Sequence, residues 1–169
     1  GSLYPAFDES FPAEMAKVCA KADIILPNIT EACLLTGTPY KTSYDESYIH
    51  ELLKKLLALG CYTAALTGVS YEKGRLGVVS LDRNGDTFSY FTRHCPQSYH
   101  GTGDLYSSTV LGGLMRGLSL GNALSLAADF VVACIEATAS AENARWYAVE
   151  FESQIPLLCE MLDQRLKNN

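Results

Sequence analysis

The stretch Asp23-Ile24-Ile25-Leu26-Pro27-Asn28-Ile29-Thr30-Glu31 sets how the rest of the chain is read. Ile24-Ile25-Leu26 is a short, β-branched apolar run, and Pro27 stops it because proline has no N–H for a strand ladder. An apolar run without polar alternation predicts a strand buried on both faces, as in a parallel sheet. Upstream, residues 11–22 place Met15, Val18, Cys19 and Ala22 at helical spacing, with Pro12 suited to the first turn. Downstream, residues 30–35 predict a short helix closed by Gly37 and Pro39. A stronger helix follows over 45–59, where Ile49, Leu52, Leu53, Leu56 and Leu57 share one face and Gly60 ends it.

Residues 62–67 predict the next buried strand. Two more, 75–81 and 87–92, flank Arg83-Asn84-Gly85-Asp86, and Asn-Gly between apolar runs is a hairpin signal. Three helices close the chain, over 102–118, 121–140 and 150–166, with Gly121-Asn122 separating the first two. No internal repeat and no low-complexity linker is visible. The order α-β-α-α-β-β-β-α-α-α predicts an α/β fold, a parallel sheet with helices on both faces and a hairpin edge. Only two core strands precede the hairpin, which is thin for a doubly wound sheet. The expectation is a C-terminal part of something larger.

Composition narrows the function classes. The chain has 169 residues, a formal net charge of −6, 48% hydrophobic and 19% charged residues, which are ordinary globular values. Its pI near 5.0 argues against general nucleic-acid binding. It leaves room for a phosphorylated small ligand, because backbone N–H groups hold phosphate without net positive charge. No apolar run reaches the ~18 residues needed to span a bilayer, so no membrane partner is expected. The start, Gly1-Ser2-Leu3-Tyr4-Pro5, lacks the pattern of a signal peptide. The cysteines 19, 33, 61, 95, 134 and 159 form no C-x-x-C, and with three histidines a zinc site is not expected. Most sit in apolar helical or strand patterns as small hydrophobes, which predicts a reducing, cytoplasmic compartment.

The chemistry concentrates in His100-Gly101-Thr102-Gly103-Asp104-Leu105, just before a predicted helix. The glycines leave the backbone bare, so successive N–H groups can converge on an anion, aided by the positive end of the helix dipole. Asp104 would repel that anion unless its task is to take a proton from an attacking hydroxyl. An anion hole beside a base is what phosphoryl transfer to an alcohol requires. The alternative is plain capping by Thr102 or Asp104 after a glycine turn.

Asn28 and Glu31 follow a predicted strand, and ligands of open α/β sheets gather at the carboxyl ends of strands. A carboxylate there can hold Mg²⁺ directly or through water. The alternative is an Asn cap with its capping-box Glu three residues on. Leu66-Thr67-Gly68 ends another strand, where a hydroxyl and bare backbone could touch phosphate.

Other residues carry weaker signals. Cys95, beside His94, could trap an aldehyde as a thiohemiacetal, although loop cysteines are usually incidental. His50 reads as a solvated helix residue, His100 as loop packing, and Trp146 and Tyr147 as core or interface filling. Tyr40, Tyr44 and Tyr48 read as a surface aromatic cluster or a dimer contact.

Taken together, Leu3-Tyr4-Pro5, Ala22-Asp23-Ile24-Ile25-Leu26-Pro27-Asn28 with Glu31, Leu35-Thr36-Gly37, Leu66-Thr67-Gly68 and Gly101-Thr102-Gly103-Asp104-Leu105 resemble the pyridoxal (vitamin B6) kinases of the ribokinase-like superfamily. The resemblance implies a three-layer α/β/α sandwich with a mainly parallel sheet and a β-hairpin edge, of which residues 1–169 would be the C-terminal part of one kinase domain, the N-terminal portion missing. It implies ATP-dependent phosphorylation of the 5′-hydroxymethyl group of a B6 vitamer. The alternatives are a hydroxymethylpyrimidine (phosphate) kinase of thiamin synthesis or a non-catalytic nucleotide-binding fragment. By this resemblance Asp104 would be the catalytic base at the substrate hydroxyl, and Gly101 to Gly103 the anion hole. Asn28, Thr67, Thr102 and Gly103 would meet the nucleotide, and Glu31 would act on Mg²⁺. The loop from Arg93 to Tyr99 would cover the nucleotide. ATP and Mg²⁺ are the implied cofactors, a small pyridine the substrate, and a homodimer the intact assembly. Alone, these 169 residues are expected to bind ATP weakly and not to turn over.

Overall fold

A computed structural model of the chain describes residues 8–141 and 148–167. The Leu3-Tyr4-Pro5 opening and Trp146-Tyr147 lie outside the described residues. The chain forms two compact units, Gly1–Ser89 and Tyr90–Asn169.

The first unit carries α1 (Phe11–Cys19), β1 (Ile24–Ile25), α2 (Ile29–Thr36), α3 (Glu46–Ala58), β2 (Thr63–Val69) and β3 (Arg75–Asp82). It ends within β4 (Thr87–Arg93). The strands lie in the order β1-β2-β3-β4. β1 runs parallel to β2, Ile24 opposite Thr63 and Ile25 opposite Ala64, whereas β2 and β3 are antiparallel. The sheet is therefore mixed, which corrects the expectation of a mainly parallel one. The reason is in the connections. Only the β1–β2 link contains helices, and a parallel pair needs such a crossover; β2, β3 and β4 follow one another through short turns.

The turn predicted at Asn84-Gly85 is present. The Gly85 N–H donates to the Asp82 carbonyl (3.1 Å), and the Asp82 carboxylate accepts from the N–H of Asn84 (2.8 Å) and of Asp86 (3.0 Å). α3 starts at an Asp45 cap, whose carboxylate accepts from the Tyr48 N–H. Its Ile49, Leu52, Leu53 and Leu56 are buried, as are Ala64, Ala65, Leu66 and Val69 of β2 and Val78 of β3. Each of the Ile, Leu and Val side chains among these stabilises by roughly 1.5–3 kcal/mol relative to exposure. α1 departs from the sequence reading. It ends at Cys19, and of its apolar residues only Cys19 is buried, while Val18 is 64% exposed. Periodicity marks an amphipathic face but does not say that anything covers it.

The second unit holds α4 (Thr102–Met115), α5 (Leu120–Ser140), a 3₁₀ turn at Glu152–Gln154 and α6 (Ile155–Lys167). The helix expected over 150–166 thus begins later, with Pro156 in its first turn, where a missing N–H costs nothing. Among the described residues α5 alone is long and apolar enough to cross a membrane, a correction to the absence of any such segment. Its Asp129 and Glu136 interrupt the apolar run, and half of its most apolar window is buried within the protein, the pattern of a core helix. Asp129 accepts from the Tyr90 hydroxyl (2.9 Å) and pairs with Arg165 of α6, while Glu136 pairs with Arg93. Phe130 and Cys134 of α5 and Val149 make a buried cluster.

Candidate functional site

The sequence-predicted residues fall into two groups, one in each unit. In the second unit, Gly101 is the residue before α4 and adopts φ 86° and ψ −5°. That left-handed conformation strains any residue with a Cβ, so glycine belongs there. Its carbonyl starts the helix by accepting from the Leu105 N–H (2.9 Å). No side chain caps α4. The Thr102 hydroxyl turns back to the Tyr99 carbonyl (3.3 Å), and Asp104 stands exposed in the first turn. Capping by Thr102 or Asp104, the plain alternative, is therefore absent, and the positive end of a 14-residue helix is left for an external anion.

The segment is held from both sides. Tyr99 before it and Leu105 after it pack on the Phe130–Cys134–Val149 cluster. The His100 carbonyl accepts from the Val149 N–H (3.3 Å), so His100 contributes its backbone while its side chain is exposed. Open space lies over both glycines: a Cβ built on Gly101 or Gly103 would meet no atom within 4 Å. Tyr106 is half-buried one turn into α4, donates to the Leu124 carbonyl (3.1 Å), and desolvation raises its pKa. His94 is exposed and Cys95 half-buried in the segment before Gly101.

In the first unit, Asn28, Glu31 and Thr67 come together at the carboxyl ends of β1 and β2. Pairing continues past Pro27 as a parallel bridge between Asn28 and Thr67, with the Thr67 N–H donating to the Pro27 carbonyl (2.9 Å). Asn28 and Glu31 form a complete capping box. The Glu31 N–H donates to Asn28 Oδ1 and the Asn28 N–H to Glu31 Oε2, each at 2.9 Å. The capping alternative is thus realised, and it occupies one carboxylate oxygen. Glu31 Oε1 has no hydrogen bond among the described residues, and the side chain is half-buried at a strand end. Such an oxygen suits a water-bridged divalent cation. Gly68 (φ 73°) follows, and the β2–β3 register shifts between Thr67 and Val69, so the strand bulges beside Thr67.

The tyrosine cluster differs from its sequence reading. Tyr48 is buried, Tyr44 stacks on it, and Tyr71 meets Tyr44 edge-on, while Tyr40 is exposed. Tyr71 and Ser70 carried no sequence signal, since a five-residue connection between two strands says nothing of what lies over it. His50 is exposed on α3, as expected. All six cysteines are free, and four are buried.

The sequence matches the phosphomethylpyrimidine kinase family over residues 5–147. The chain belongs to this family. Among curated relatives, a pyridoxal kinase from Rubrobacter xylanophilus is 32% identical over 121 residues, 69% of this chain and 40% of that protein. A hydroxymethylpyrimidine/phosphomethylpyrimidine kinase from Aquifex aeolicus is 28% identical over 130 residues, 76% of this chain and 48% of that protein. The chain thus spans about half the length of the curated relatives it matches. Of solved structures, the pyridoxal kinase from Lactobacillus plantarum superposes with a TM-score of 0.81 at 32% identity, covering 97% of this chain and 58% of that one. The pyridoxal kinase from Staphylococcus aureus, solved with AMP-PCP and pyridoxal, shares the fold at 18% identity (TM-score 0.72), covering 88% of this chain and 54% of that one. The family is one of kinases, and a phosphomethylpyrimidine kinase-like protein from Bacteroides thetaiotaomicron, 32% identical over 97% of this chain, was solved with pyridoxal.

Proposed function

We propose that the protein carrying this chain transfers the γ-phosphoryl group of ATP to the 5′-hydroxymethyl group of a vitamin B6 vitamer, within a ribokinase-like three-layer sandwich. The observation that carries the reading is the uncapped N-terminus of α4 with Asp104 in its first turn. The space beside Gly101 and Gly103 is open and no side chain caps the helix start, so the N–H groups of Gly101, Thr102 and Gly103 can hold the three equatorial oxygens of a phosphoryl group in flight. Asp104 takes the proton from the acceptor hydroxyl as its oxygen attacks phosphorus. Asn28 and Thr67 meet the nucleotide at the strand ends of the first unit. Glu31 holds Mg²⁺ through water, and the metal supplies charge neutralisation for the phosphates.

A second reading, a hydroxymethylpyrimidine (phosphate) kinase, is favoured by the family match and by the Aquifex relative. Both substrates are hydroxymethyl groups on flat nitrogen heterocycles, and the same anion hole and base serve either. Turnover of pyridoxal, pyridoxine, pyridoxamine and hydroxymethylpyrimidine by the full protein decides between them. The proposal expects the highest kcat/KM for a B6 vitamer. A higher value for hydroxymethylpyrimidine would overturn it in favour of the second reading.

A further inference from the structure

We propose that Tyr44 is a positioning residue for nucleotide binding, its hydroxyl holding the turn that presents Thr67 and Gly68. The role rests on the reading of Thr67 as a nucleotide contact. Thr67 is fixed on one side by the Pro27 carbonyl. On its other side Thr67 still pairs with Val78 of β3, but the register shifts at Gly68 immediately after it and the chain leaves the sheet after Val69. Ser70 is where the chain is caught again. Its N–H donates to the Tyr44 hydroxyl at 3.1 Å, across 26 residues of sequence.

The donor's partner is itself rigid. The Tyr44 ring stacks on Tyr48 with centroids 5.9 Å apart and 28° between planes. Tyr48 is 7% exposed, and its hydroxyl donates to the Pro39 carbonyl (2.8 Å) and contacts Cys33 Sγ (3.2 Å). Tyr71, the residue after Ser70, meets the Tyr44 ring edge-on at 6.4 Å. The turn is therefore gripped twice by Tyr44, once through a hydrogen bond and once through a ring, immediately beyond the bulge at Gly68. A stack anchored in the core of the first unit thus sets where the carboxyl end of β2 stands.

The test uses the full protein and a fluorescent ATP analogue, N-methylanthraniloyl-ATP, with the variants Tyr44→Phe, Thr67→Val and the pair together. Tyr44→Phe keeps both ring contacts and removes only the hydroxyl. It should weaken analogue binding about threefold to tenfold, the range of one neutral hydrogen bond. Its far-UV circular dichroism should match the parent. Thr67→Val should also weaken binding, and the double variant should bind no worse than the poorer single one, because Tyr44 acts through Thr67. Unchanged affinity in Tyr44→Phe, or losses that multiply in the double variant, would overturn the positioning role while leaving Thr67 as a nucleotide contact. Unchanged affinity in Thr67→Val would overturn the reading of Thr67 and the role of Tyr44 with it.

Discussion

Gly101 and Gly103 lie two residues apart, yet alanine should act with opposite sign at the two. Gly101 has φ 86°, and a Cβ there would meet nothing within 4 Å, so the whole cost of Gly101→Ala is torsional. A left-handed conformation costs an L-residue about 1–2 kcal/mol, and the variant should lose that much stability. Gly103 lies inside α4, and its Cβ would also meet nothing within 4 Å. Here alanine relieves backbone entropy, and Gly103→Ala should gain about 0.5–1 kcal/mol. Its effect on activity should run the other way. In the proposed function the open space over Gly103 receives the phosphoryl group, so a methyl there should lower kcat/KM at least tenfold in the more stable protein. Urea denaturation gives the two stabilities, and a coupled ADP-release assay gives turnover. A Gly103→Ala protein that is more stable and fully active would refute the assignment of the anion hole. A Gly101→Ala protein as stable as the parent would refute the conformational argument.

Three further outcomes follow from the same structure. Asn28→Ala removes a cap and should cost about 1 kcal/mol in urea denaturation. Glu31→Gln retains a side-chain acceptor for the Asn28 N–H and should leave that stability nearly unchanged, while shifting the Mg²⁺ titration of turnover to higher concentration; an unchanged titration would reduce Glu31 to a capping residue. Burial pushes the hydroxyls of Tyr48 and Tyr71 up to about 12, with Cys33 adding to the shift at Tyr48 and Glu46 at Tyr71. Unfolded tyrosines ionise near about 10. The stability these two contribute is therefore complete below about 10 and falls as pH rises from there toward 12. A urea midpoint that stays flat across that window, or a decline that Tyr48→Phe does not lessen, would contradict this.

Much of the fold is legible in local sequence. Pro27 after an apolar run, Asn84-Gly85 between two others, and glycines after helices mark element ends by backbone chemistry, and the observed elements follow them in order. The sense of the sheet is less legible than the elements. Alternation of strand and helix suggests parallel pairing, but the described residues contain one crossover, so the hairpin strands outnumber the parallel pair. Burial on α1 is not legible either, because Met15 and Val18 have helical spacing and still face outward. The glycine turn before α4 and the place of Asp104 in its first turn were readable, but a carboxylate there also suits the helix dipole, so spacing alone does not assign it a chemical role. For Asn28 and Glu31, spacing could not separate a capping box, which is present, from a ligand role at the strand end, which is proposed. Tyr71 and Ser70 join the site's surroundings only through a contact made across 26 residues.

The central claim is that Asp104 takes the proton from the acceptor hydroxyl, and Asp104→Asn in the full protein tests it most directly. The amide keeps the size and exposed position of the side chain at the start of α4 but cannot accept that proton. Steady-state phosphorylation of pyridoxal, with the affinity for the ATP analogue measured alongside, should show kcat lowered by at least ~10²-fold and affinity changed far less. A kcat close to that of the parent would contradict the account.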